Sequence, residues 1–128
     1  MIERILYRNA LFAIRLKSFT NGTIPLTDPL EPLQVLAYNR ERGKYTKAHF
    51  HKTKKRVTQQ LQECLVVIKG KLKINIYNSQ KEFFKTLYLT AGQAVIFIRG
   101  GHAVHSVSDS EFIEIKNGPF LEDKEFIE

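Results

Sequence analysis

The heptapeptide KLKINIY at residues 71–77 alternates without a fault: Leu72, Ile74 and Ile76 fall on one side, Lys71, Lys73, Asn75 and Tyr77 on the other. A period of two places successive side chains on opposite faces of a β-strand, and a strand with one wet side reads this way. From residue 33 onward no segment carries a sustained 3.6-residue apolar period. The chain is therefore expected to be all-β.

The neighbouring segments extend that reading. LQVLAYN at 33–39 is β-prone, and a further strand is expected over 45–51 after a turn at Gly43. CLVVI runs to a turn at Lys69-Gly70. Asn78 to Lys81 supply a polar hairpin turn, and EFFKTLYL returns as the partner of KLKINIY. After Thr90-Ala91-Gly92 comes QAVIFI, apolar on both faces and so expected to be buried on both. Gly100-Gly101 breaks it, HAVHSVS follows, and EFIEIK closes the sheet after Asp109-Ser110. Short strands at this spacing predict a sandwich or barrel of the jelly-roll kind. Residues 4–16 are compatible with an opening strand or a short helix. Asn21-Gly22, Pro25, Pro29 and Pro32 make an irregular crossing loop, and the tail GPFLEDKEFIE reads as a loop or a final turn of helix.

A chain of 128 residues suits one domain, spanning 1–128. No stretch reaches the roughly 18 apolar residues of a membrane span, and Glu3, Arg4, Arg8 and Arg15 interrupt any signal-peptide pattern. The single cysteine, Cys64, sits inside an apolar run and reads as a buried, unreactive thiol in a reducing, cytoplasmic setting. The net charge of +7 calls for either solvation or an anionic partner. Its densest piece is Lys52, Lys54, Lys55 and Arg56, with Lys44 and Lys47 just before. A solvated loop and a rim attracting phosphate or carboxylate both fit. Nucleic acid and membrane are not expected, because the basic cluster lacks interleaved aromatic residues and no span is present.

Two histidines one residue apart, His49 and His51, follow Gly43. On a strand, such a pair shares one face and can close on one metal ion. Glu63 lies seven residues before Gly70, where strand alternation would point it inward beside Leu65 and Val67.

These spacings carry a resemblance. Gly43, five residues, His49, one residue, His51, then Glu63, six residues, Gly70 resembles the first motif of the cupins. Gly92, five residues, Ile98-Arg99-Gly100-Gly101-His102 resembles the second. The resemblance implies a cupin-type jelly-roll β-barrel whose mouth binds a divalent metal through His49, His51, Glu63 and His102. Three imidazoles and a carboxylate suit Zn, Fe, Mn, Ni or Co better than Ca or Mg. The sequence departs from the pattern in the long insert KTKKRVTQQLQ, in Ile98 where the family has proline, and in a histidine one residue early. His105 is thus an alternative ligand, although alternation puts it on the face opposite His102 unless a bulge intervenes. The Gly-Gly break favours His102. More closely, Gln62-Glu63, Gly100-Gly101-His102 and Lys116-Asn117-Gly118-Pro119-Phe120 resemble a group of small bacterial cupins found with surface-polysaccharide or sugar-nucleotide genes.

The implied function is a metal-binding cupin that acts on or binds a sugar, sugar nucleotide or small carboxylate, as an isomerase or epimerase. A metal-free relative would use a histidine as general base. The alternatives are a non-catalytic saccharide- or anion-binding module and an iron-dependent dioxygenase. Arg56, Gln60 and Gln62 are candidate substrate contacts, as are Tyr38 and Tyr45 on strands entering the same sheet. No single residue is assigned as catalytic. A homodimer is expected, through the faces of Val95, Phe97 and neighbouring strands.

Overall fold

The computed structural model describes residues 1–128 as ten strands and no helix, so no helix is long and apolar enough to cross a membrane. The strands are β1 (Ile2–Tyr7), β2 (Ala10–Leu16), β3 (Gly22–Pro25), β4 (Leu36–Asn39), β5 (Glu63–Lys69), β6 (Lys71–Tyr77), β7 (Phe83–Thr90), β8 (Ala94–Phe97), β9 (Gly101–Ser106) and β10 (Glu111–Lys116). They form three antiparallel sheets: β1-β2-β8-β5-β10, β7-β6-β9 and the small β3-β4 pair. Each order ends in edge strands, so the hydrogen bonding does not close into a ring.

The apolar residues sort themselves into two layers of packing. Leu72, Ile74 and Ile76 of β6, with Leu87 and Leu89 of β7, are almost wholly buried against Phe12, Ala13, Leu65, Val67, Val95 and Phe97 of the five-stranded sheet. The opposite face of that sheet carries Ile14, Leu16, Cys64, Ala94 and Ile96. It is covered by Leu26, Leu33 and Ala37 from the segment around β3 and β4. The architecture is accordingly a β-sandwich with a third, partial layer. β8 lies in the middle, and all four of its residues are buried, as expected of a run that is apolar on both faces.

Several expectations need correction. Residues 4–16 form neither one strand nor a helix. They make a hairpin, β1 and β2, turning at Arg8 and Asn9, both at positive φ as a tight two-residue turn requires. No strand forms over 45–51: every residue from Arg40 to Leu61 is exposed and outside regular structure. Alternation there puts Tyr45, Lys47, His49 and His51 on one face and only Thr46, Ala48 and Phe50 on the other, and Phe50 is 90% exposed, so no buried face holds the segment on a sheet. Val95 and Phe97 belong to the interior, at 0% and 5% exposure, and cannot form a dimer surface. The tail after β10 is a loop without a helical turn.

Candidate functional site

Strand register builds one end of the sandwich. Glu63 opens β5 and lies directly across from Phe97 of β8 on one side and Lys116 of β10 on the other. Residues opposite one another share a face. Phe97 faces the core between the two larger sheets, so Glu63 and Lys116 face the same way. His102 arrives from the opposing sheet, where β9 pairs it with the buried Ile76.

The connection between β8 and β9 depends on Gly100. Its φ is 77°, and a Cβ there would run into the Tyr77 carbonyl oxygen and the Phe12 ring. Only glycine accepts both demands. The sharp turn brings His102 down flat on Phe97, with ring centroids 3.8 Å apart and planes inclined by 4°. His102 Nε2 then lies 3.0 Å from Glu63 Oε1, while Lys116 Nζ lies 3.4 Å from Glu63 Oε2. Lys116 also reaches Glu114, at 3.3 Å. The hydrogen-bonding His102 ring draws the Glu63 carboxyl down to about 2, against burial, which opposes ionisation; Glu114 and Lys116 add to the lowering. The residue is thus a fixed carboxylate at neutral pH.

This cluster opens into a cavity of about 430 Å³. Tyr77 and Arg99 line its walls, and residues 123–128 of the tail cross it. The tail is fastened by Lys81 Nζ to Glu125 Oε1 at 2.8 Å. A second cavity of about 450 Å³ adjoins the first, shares Lys116 with it, and takes in Arg56, Thr58 and Asn117.

The expected metal ligands arrive as two separate pairs. Glu63 and His102 meet as expected, with Glu63 pointing inward. His49 and His51 lie together on the exposed 40–61 segment, rings 5.1 Å apart and edge to face, with His49 Nδ1 2.7 Å from the Lys47 carbonyl. No group of three or more His, Cys, Asp or Glu side chains is gathered to hold a metal ion. The four residues therefore do not fit a single metal centre in this arrangement. His105 is exposed opposite Lys73, on the face away from His102.

The expected substrate contacts divide by role. Gln62 is 1% exposed and serves as framework: its carbonyl accepts from the Leu33 amide at 3.1 Å, and its amide donates to Glu31 Oε2 at 2.6 Å and to the Ile98 carbonyl at 3.2 Å. Gln60 also donates to the Ile98 carbonyl. These bonds anchor the end of the 40–61 segment beside the cavity; the Gln62 amide is fully engaged, whereas Gln60 is exposed and commits one amide N–H. Arg56 is exposed on the wall of the adjoining cavity. Tyr38 lies on β4 of the small sheet beneath the Arg40 guanidinium, 4.7 Å from ring to Cζ, and Tyr45 is exposed off any strand. Neither enters the sheet that holds Glu63.

Phe97, Lys116, Arg99 and Tyr77 were not among the expected site residues. Lys116 opens the Lys116-Asn117-Gly118-Pro119-Phe120 run, and Asn117 Oδ1 accepts from the Gln62 backbone amide at 2.9 Å. That run therefore braces the site. Phe97 gave no functional signal, because an apolar residue between apolar neighbours reads as core.

Comparison with known proteins finds no family model, no curated relative and no solved structure that matches this chain.

Proposed function

We propose that this chain is a small cupin of jelly-roll type whose cavity binds a sugar derivative or small carboxylate, and that His102 moves a proton on it. The observation that carries this reading is the contact of Glu63 with His102 over Phe97, inside a cavity edged by Lys116 and Arg99. A carboxylate beside one imidazole nitrogen fixes the tautomer and leaves the other nitrogen as the base. The stacked Phe97 ring holds the imidazole plane. On an α-hydroxy carbonyl compound, His102 then takes the proton from the hydroxyl-bearing carbon and returns it to the former carbonyl carbon, while the hydroxyl proton passes to the former carbonyl oxygen, giving an isomerisation with no net change of atoms. Lys116 and Arg99 offset the negative charge that gathers on the substrate oxygen meanwhile.

A second reading keeps Glu63 and His102 as two donors to a divalent transition metal, since they offer one oxygen and one nitrogen from opposite sheets, 3.0 Å apart. His49 and His51 join them only if the 40–61 segment rearranges. Metal analysis of protein purified without chelator, repeated on the His49→Ala, His51→Ala double variant, tests this: undiminished metal in the variant excludes a role for the pair.

The primary test is NMR in D2O with a panel of sugar phosphates, sugar nucleotides and small keto acids. The expected result is deuterium incorporation by the native protein and none by His102→Gln. Exchange that survives in His102→Gln would reject the assignment. Binding without exchange in the native protein would favour a non-catalytic module.

A further inference from the structure

The entire net charge of the chain resides in one segment. Residues 40–62 hold eight basic side chains, Arg40, Arg42, Lys44, Lys47, Lys52, Lys54, Lys55 and Arg56, against the single acid Glu41. The remaining residues hold twelve basic and twelve acidic side chains and are neutral. Every position from Arg40 to Leu61 is exposed, and none lies in a strand. A small phosphate or carboxylate needs two or three cations. Seven uncompensated charges on an extended arm match a polyanion.

The arm also presents aromatic rings to solvent: Tyr45 is 78% and Phe50 90% exposed, and Tyr38 stands at its base under Arg40. The expectation against nucleic acid rests on a basic cluster without interleaved aromatic residues, and the exposed segment as a whole corrects it, since Tyr45 and Phe50 stand among its cations. Both rings are flanked by lysines, Tyr45 by Lys44 and Lys47 and Phe50 by Lys47 and Lys52, on a segment outside any strand. Cations tracking a phosphate backbone, with rings free to stack on bases, are the elements of sequence-tolerant single-strand binding. An interfacial membrane helix needs one continuous apolar face. This arm has no helix, and its apolar side chains are dispersed among lysines.

We propose that residues 40–61 form a binding arm for single-stranded nucleic acid, with the basic side chains on phosphates and Tyr45 and Phe50 stacked on bases. The proposal does not depend on the cavity at Glu63 and His102. At up to about 3.5 Å per extended residue, Tyr45 and Phe50 stand as much as ~17 Å apart, a span of a few nucleotides.

The experiment is fluorescence anisotropy with a labelled 20-nucleotide oligouridine, run from 50 to 300 mM salt. The expected result is measurable binding whose affinity falls steeply with salt, with a logarithmic slope approaching about −5 if most of the cations sit on phosphates. Lys52→Gln, Lys54→Gln, Lys55→Gln and Arg56→Gln together should reduce the slope by roughly 3. Tyr45→Ala with Phe50→Ala should weaken binding at least about tenfold while leaving the slope unchanged. An unchanged thermal midpoint in both variants establishes that the fold is intact. Three results would overturn the proposal: no binding at 50 mM salt, affinity indifferent to the aromatic pair, or tighter binding to anionic phospholipid vesicles than to the oligonucleotide.

Discussion

His102 rests face to face on Phe97, the two rings nearly parallel with centroids 3.8 Å apart, although they come from opposing sheets. The stack leaves the imidazole edge as its only polar perimeter, and Glu63 occupies one part of that edge. Orientation is thus set by an apolar neighbour and charge by an acidic one.

The pH dependence of stability should report this arrangement. The Glu63 carboxyl lies at about 2 in the folded chain, below its ordinary 4.5, chiefly because of His102. A carboxyl lowered by folding stabilises the native state above its unfolded value and loses that contribution as pH falls through the folded value. Urea midpoints of the metal-free native protein should therefore drop faster between about pH 4.5 and 2 than those of Glu63→Gln. The pH-dependent part of the difference should be on the order of 1–3 kcal/mol and be lost as pH falls through about 2. Parallel curves across that window would contradict the pairing.

Two glycines at positive φ separate conformation from space. Gly43, at 91°, has nothing within 4 Å of a would-be Cβ, whereas Gly100, at 77°, faces the Tyr77 carbonyl and the Phe12 ring. Alanine at 43 should cost about 1–2 kcal/mol for the left-handed backbone alone. Alanine at 100 adds overpacking and should cost roughly 2–5 kcal/mol in denaturant titration. Equal losses would show that the β8 to β9 turn is looser than described.

Core truncation should respect the layers. Ile74 is wholly buried between the two larger sheets, while Leu30 is 93% exposed. Ile74→Ala is expected to lose about 2–5 kcal/mol. Leu30→Ala should stay within roughly 0.5 kcal/mol of the native protein. Calorimetry on the pair tests the assignment of the inner face.

Burial pushes the Cys64 thiol up to about 11, and the side chain is 1% exposed between the five-stranded sheet and its outer cover. A thiol-specific chromogenic reagent should leave the native protein untouched at pH 8 and titrate one thiol in denaturant. Rapid labelling without denaturant would place Cys64 elsewhere.

Where alternation and turn chemistry agreed, the sequence was legible. KLKINIY, its EFFKTLYL partner, CLVVI, HAVHSVS and EFIEIK all became strands, and the doubly apolar run became the buried centre. Glu63 points inward as alternation predicts, and His105 falls on the face away from His102 as period two requires. The segment around His49 and His51 misled for a stated reason: equal spacing of two histidines satisfies a strand, but strands persist only where a face is buried or an edge is paired. Phe97 and Lys116 were hidden because their roles come from register across β8, β5 and β10, a relation between distant segments that no local pattern carries.

The position of β8 governs how this chain can assemble in time. Ala13 pairs with Phe97, and Glu63 pairs with Phe97 from the other side, so the five-stranded sheet has no middle until residues 94–97 are in place. The hairpins β1-β2 and β6-β7 can form early from local sequence. Joining β2 to β5 must await a strand far along the chain, with the entropy of a long closure paid before any reward. Such a topology folds on the slow side, in milliseconds to seconds rather than microseconds.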